Sequence, residues 1–72
     1  MKVYTLSHYC NGEGTNLLKI YRNAPELKDL LSYRDIYSEE CLPLKVVQTL
    51  LEKGTTGGEE GYEIEEIEVE EN

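Results

Sequence analysis

Any chemistry in this chain would have to start from few groups. His8 is the only histidine, and with Cys10 it forms a His-x-Cys pair whose side chains would share one face of a strand. A structural zinc site needs four ligands at set spacing, and only Cys41 remains as a soft ligand. A Cys-His nucleophile pair needs an orienting third group and a pocket. Neither is indicated, so no catalytic residue, metal site or cofactor is expected. Gly54, Gly57, Gly58 and Gly61 have the composition of a phosphate-cradling loop. Such loops open a helix whose N-terminus holds the anion, whereas these glycines precede carboxylates that would repel it. The acids in turn lack the alternating Asp/Asn ligands and central glycine of a calcium loop, which leaves only loose cation binding.

What the chain holds in quantity is glutamate. Its closing stretch EEGYEIEEIEVEEN contains Glu59, Glu60, Glu63, Glu65, Glu66, Glu68, Glu70 and Glu71, with no lysine or arginine. The chain has 15 acidic and 7 basic residues and a formal net charge of −8; the 7 acids before Gly58 balance all 7 bases. The whole net charge therefore lies in the final segment, an asymmetry that points to an interaction surface for a partner of opposite charge.

Residues 1–72 are expected to form a single small domain with a thin core, because a chain of about 60 residues buries only about 60% of its unfolded surface. The Met1-Lys2-Val3-Tyr4 start reads directly as strand and not as a secretory leader, so Cys10 and Cys41 are expected as free thiols in a reducing cytoplasm. No apolar run approaches the roughly 18 residues of a membrane span, and an acidic surface would be repelled by anionic lipid.

KVYTLSHYC (2–10) and TNLLKIYR (15–22) are rich in β-branched and aromatic residues and flank the turn NGEG (11–14), which predicts a hairpin. Asn23 as cap, Pro25 in the first turn and Glu26 completing an Asn-x-x-Glu capping box predict a helix to about Ser32 bearing Leu27, Leu30 and Leu31. Residues 32–40 cross to a second helix, opened by Pro43, striped by Leu44, Val47, Leu50 and Leu51, and ended by Gly54. Residues 54–61 read as a flexible Gly-rich connection, and strand chemistry returns over 62–70, where Gly61, Tyr62 and the β-branched residues favour a strand over a helix. The order ββααβ predicts an α+β fold: a three-stranded, mainly antiparallel sheet with two short helices packed on one face. In the last strand Tyr62 and Ile64 share one parity and Ile67 and Val69 the other. A β-bulge near Glu65-Glu66 would gather all four on the core face and leave Glu63, Glu68 and Glu70 outside, with Glu65 or Glu66 beside them.

Outward residues of a strand repeat every ~6.7 Å, so these acids would form a straight row of fixed charge. Spread over 59–71 they give one charge per roughly 5.4 Å, against about 1.7 Å along duplex DNA. A twofold dimer would halve the spacing, and Asp35, Glu39 and Glu40 offer a possible second row. A homodimer is therefore expected. The aromatic set is all tyrosine, which suits a wet interface, and Tyr33 and Tyr37 in the interhelical segment are the candidates for it.

The combination of MKVYTLSH, a glycine turn, a KIYR strand, one or two helices and a closing YEIEEIEVEE resembles the very small proteins encoded in early regions of bacteriophage genomes. The resemblance covers most of the chain in pattern. Several such proteins are acidic DNA mimics that occupy the nucleic-acid site of a host protein, such as nucleoid-associated HU, RNA polymerase, restriction enzymes or CRISPR effectors. The HU-inhibiting type is similar in size and charge, although the balanced charge of residues 1–58 confines any mimicry here to the C-terminal segment. The resemblance implies a non-enzymatic inhibitor in the host cytoplasm that binds a basic DNA-binding host protein through the eight glutamates and does not itself bind nucleic acid. The alternatives are a protein-interaction module that uses a tyrosine and aliphatic surface, with the acids serving solubility, and an inhibitor of another nucleic-acid enzyme such as RNA polymerase, a restriction enzyme or a CRISPR effector.

Overall fold

The central strand of the sheet is β1 (Lys2–Cys10), which turns through residues 11–13 into β2 (Gly14–Tyr21). The turn requires left-handed backbone at Gly12 and Gly14, with φ of 86° and 90°, where a side chain would cost strain. The computed structural model describes residues 1–34 and 41–70, and continues with α1 (Leu27–Leu31), α2 (Leu44–Lys53) and β3 (Glu60–Glu68). The sheet order is β2-β1-β3 with both pairings antiparallel, so the α+β architecture and the ββααβ order are as expected.

The bulge lies in a different strand from the one expected. Pairing of β1 with β3 runs unbroken from Lys2 opposite Glu68 to Cys10 opposite Glu60. Unbroken pairing lets Ile64 join the core opposite Leu6 while Ile67 sits opposite Val3 on the other face. Both apolar pairs find a neighbour without a bulge at Glu65-Glu66. The irregularity falls instead in β2, where Leu6 pairs with Lys19 but Ser7 with Leu17, leaving Leu18 as the extra residue. Leu18 packs against the core, and the displaced register sets Leu17 and Ile20 on one face although they are three residues apart.

α1 starts later than the Asn23 capping box would have it. Glu26 is the N-cap, and its backbone N–H donates to the Asp29 carboxylate at 2.8 Å, so the reciprocal pair is Glu26 with Asp29. α2 begins after Pro43 and ends at Gly54, whose φ of 79° and N–H donated to Leu50 O at 2.8 Å form a left-handed cap, as the sequence predicts. Its apolar stripe is only half used: Val47 and Leu50 are buried, while Leu44 and Leu51 remain exposed. The core comprises Leu6 from β1, Leu30 from α1, Val47 and Leu50 from α2, and Tyr33 and Leu42 beside them. Each fully buried leucine or valine contributes roughly 1.5–3 kcal/mol. Tyr33 is only 6% exposed, so it packs in this core and offers no surface for a dimer.

The connection to β3 is pinned along part of its length. Ile64 N–H donates to Gly54 O at 2.8 Å and Thr56 N–H to Tyr62 O at 3.0 Å, while Tyr62 N–H reaches Thr56 Oγ1 at 3.0 Å. Backbone hydrogen bonds thus hold a segment that has no apolar residue to anchor it. They also cover the outer edge of β3 over its first half.

Candidate interaction surface

Because β3 is regular, its glutamates go alternately to opposite faces. Glu60, Glu66 and Glu68 share parity with Ile64 and lie on the side of α1 and α2, while Glu63 and Glu65 lie on the opposite side. The single outward row of acids expected from a bulged strand does not form.

The two sets also differ in electrostatics. On the helix side, Lys2 Nζ stands 3.6 Å from Glu66 Oε1, and the Met1 amino group 3.4 Å from Glu68 Oε1. His8 Nε2 lies 3.1 Å from Glu60 Oε1, with its ring edge-on to Tyr62 at 5.2 Å. The Tyr4 hydroxyl donates to Glu66 Oε1 at 3.1 Å, and this bond, with burial and the Glu66 charge behind it, raises the phenol pKa above its usual value. Half or more of each carboxylate and cation in the Lys2 and Met1 pairs is exposed, so such pairs contribute at most about 1 kcal/mol each. In contrast, Glu59, Glu63, Glu65 and Glu70 form no ion pair among the described residues. Asp35, Glu39, Glu40, Tyr37 and Glu71 lie outside the described residues.

The face that carries Glu63 and Glu65 holds a surface that the strand assignments alone did not reveal. Two cross-strand rows repeat one order of side chains, Ile20–Thr5–Glu65 and Leu17–Ser7–Glu63. Val3 opposite Ile67 extends the apolar part at one end. Leu17 and Ile20 are each 56% exposed and Ile67 40%, whereas Thr5 and Ser7 in the same rows are buried, and neither described helix packs on this face. The hint in the sequence is LLKI at 17–20, three apolar residues in four, which an edge strand cannot send to one core face without leaving some outside.

Among the described residues no group of three or more His, Cys, Asp or Glu converges to hold a metal ion, and Cys10 and Cys41 are free. An open depression at the end of the hairpin is lined by residues including Cys10, Gly12, Thr15 and Glu59, and a smaller groove by Tyr4, Pro25, Leu51 and Ile64; His8 lines neither. No described helix is long and apolar enough to cross a membrane. Comparison with protein-family models, with curated proteins and with solved structures finds no match to this chain.

Proposed function

We propose that this chain is a non-enzymatic acidic binding protein that engages a basic DNA-binding protein and keeps nucleic acid from it. The observation that carries this reading is the set of carboxylates on and beside β3, Glu59, Glu63, Glu65 and Glu70, that no cation answers among the described residues of a chain with net charge −8. Glu63 and Glu65 stand about 6.7 Å apart on one face of a backbone-paired strand, which copies the sign of neighbouring phosphates at a comparable spacing. Alternation adds Glu60, Glu66 and Glu68 as a second row on the opposite face of the same strand, in place of one dense row. The weak surface pairs of that second row can be exchanged for pairs with a partner's lysines and arginines at little cost. A bacterial nucleoid protein such as HU, met in the cytoplasm by a phage-encoded inhibitor, fits this reading, and a twofold dimer would double the number of acids presented. A second reading, in which an apolar surface does the binding and the acids confer solubility, is favoured by the exposure of Leu17, Ile20 and Ile67.

The deciding experiment captures partners from bacterial lysate on the wild type and on a variant with Glu59, Glu63, Glu65 and Glu70 changed to glutamine, eluted with a salt gradient. The expected result is a basic DNA-binding protein retained by the wild type alone, displaced by free duplex DNA and released steeply with salt. Equal retention of that protein by a folded glutamine variant would overturn the proposal.

A further inference from the structure

The face of the sheet opposite the helices has a graded cross-section. In each of two successive rows it runs from an aliphatic side chain on β2, over a buried hydroxyl on β1, to a carboxylate on β3: Ile20–Thr5–Glu65 and Leu17–Ser7–Glu63. Thr5 and Ser7 on the middle strand are small beside the larger side chains on both flanks, which makes a shallow trough over these two rows, with Val3 at one end of it and Tyr9 at the other. Over these two rows its walls differ in kind, Leu17 and Ile20 on β2 against Glu63 and Glu65 on β3, and these glutamates have no ion pair among the described residues; Ile67 follows them on β3 opposite Val3 and makes that end of the trough apolar.

Charge decides between the possible occupants. A second copy of the chain also carries −8 and would bring its own acids toward Glu63 and Glu65, so self-association over this face is opposed. A segment that is apolar along one margin and cationic along the other is complementary in both respects. The dimensions suit a helix: the outer strands of a three-stranded sheet lie about 10 Å apart, close to the 10–12 Å diameter of an α-helix. The 9 residues of β3 extend for about 30 Å, the length of some 20 helical residues. A helix seated there would complete a three-layer arrangement, helices on both sides of the sheet.

We infer that this face docks an amphipathic helix of the partner, its apolar stripe seated on Val3, Leu17, Ile20 and Ile67 and its lysines or arginines set along Glu63 and Glu65. The inference rests on the proposal that the partner is basic, and it adds which face binds and what element it takes.

The test titrates the full chain with a synthetic lysine-leucine peptide of about 18 residues, designed as a helix with adjoining leucine and lysine faces. A scrambled peptide of the same composition and charge serves as control, and amide shifts locate the bound peptide. The striped peptide should bind at least about tenfold more tightly than the scrambled one, and it should shift Thr5, Ser7, Leu17, Ile20 and Ile67. Changing Leu17 and Ile20 together to serine, at sites more than half exposed, should remove that advantage and leave the salt dependence unchanged. Glu63→Gln with Glu65→Gln should flatten the salt dependence. Equal, salt-steep binding of both peptides, or shifts confined to α1 and α2, overturns the docking face while the basic-partner proposal stands. Binding of neither peptide removes both. A wild type that sediments as a dimer, and as a monomer after Leu17→Ser, assigns the face to a second copy and overturns the inference.

Discussion

Tyr21 is a tyrosine whose ionisation works against the folded state at high pH. Its hydroxyl is buried and has no hydrogen-bond partner among the described residues, while its ring meets solvent and takes Lys19 Nζ at 5.2 Å from the centroid. Burial first, then the charge of Asp29 and the neighbouring Tyr33, raises the phenol pKa above 10.0. A raised folded-state pKa means that the unfolded chain releases its proton earlier. The associated stability is therefore complete below about pH 10 and is lost as pH rises through the folded value. Thermal melts should show the midpoint falling above that pH, and Tyr21→Phe should reduce the slope. Near neutrality the same variant should be neutral or stabilising, because it removes an unsatisfied buried hydroxyl. Leu6 is the opposite case, an apolar side chain with no exposure at the centre of the sheet. Leu6→Ala should cost about 2–5 kcal/mol in urea denaturation, whereas Leu44→Ala, at a half-exposed site, should cost well under half of that.

At the scale of the elements, α2 is defined by its C-terminus. Gly54 takes φ of 79°, closes the helix onto Leu50 O and gives its own carbonyl to Ile64 N–H, so one residue ends α2 and begins the cover on β3. Gly54→Ala should lose roughly 1–2 kcal/mol, the cost of a left-handed conformation for a residue with a Cβ, as read by the shift of the urea midpoint at constant slope. The acidic strand itself is held by its backbone ladder to β1 and by Ile64 opposite Leu6, and its surface ion pairs add little. Lys2→Ala should accordingly change stability by less than about 1 kcal/mol.

Across the whole molecule, 15 acids against 7 bases produce self-repulsion concentrated at one edge of the sheet. Salt shortens the reach of that repulsion, from about 30 Å at 0.01 M to about 3 Å at 1 M. The melting midpoint should therefore rise between about 0.02 and about 0.5 M sodium chloride, and the rise should shrink in the variant with four glutamines. The same long-range field would draw in a basic partner, while the apolar half of the open face would determine how it seats.

Local chemistry was enough to read much of this protein from its sequence. The NGEG turn, Pro43 and Gly54 act through backbone torsions and hydrogen bonds that involve near neighbours, and the hairpin and α2 lie where these residues put them. The concentration of acidic charge in a final segment that holds no lysine or arginine is likewise a property of the sequence. The faces of that strand were not readable, because they depend on which partner strand sets the register. β1 pairs with β3 without interruption and accepts the bulge from β2, and this tertiary choice sends Glu63 and Glu65 to one side and Glu60, Glu66 and Glu68 to the other. It also brings Leu17 and Ile20 together opposite the helices and takes Tyr33 into the core. A shift of one residue in register inverts every side chain of a strand, so only the assembled sheet decides which glutamates face a partner and which apolar side chains stand beside them.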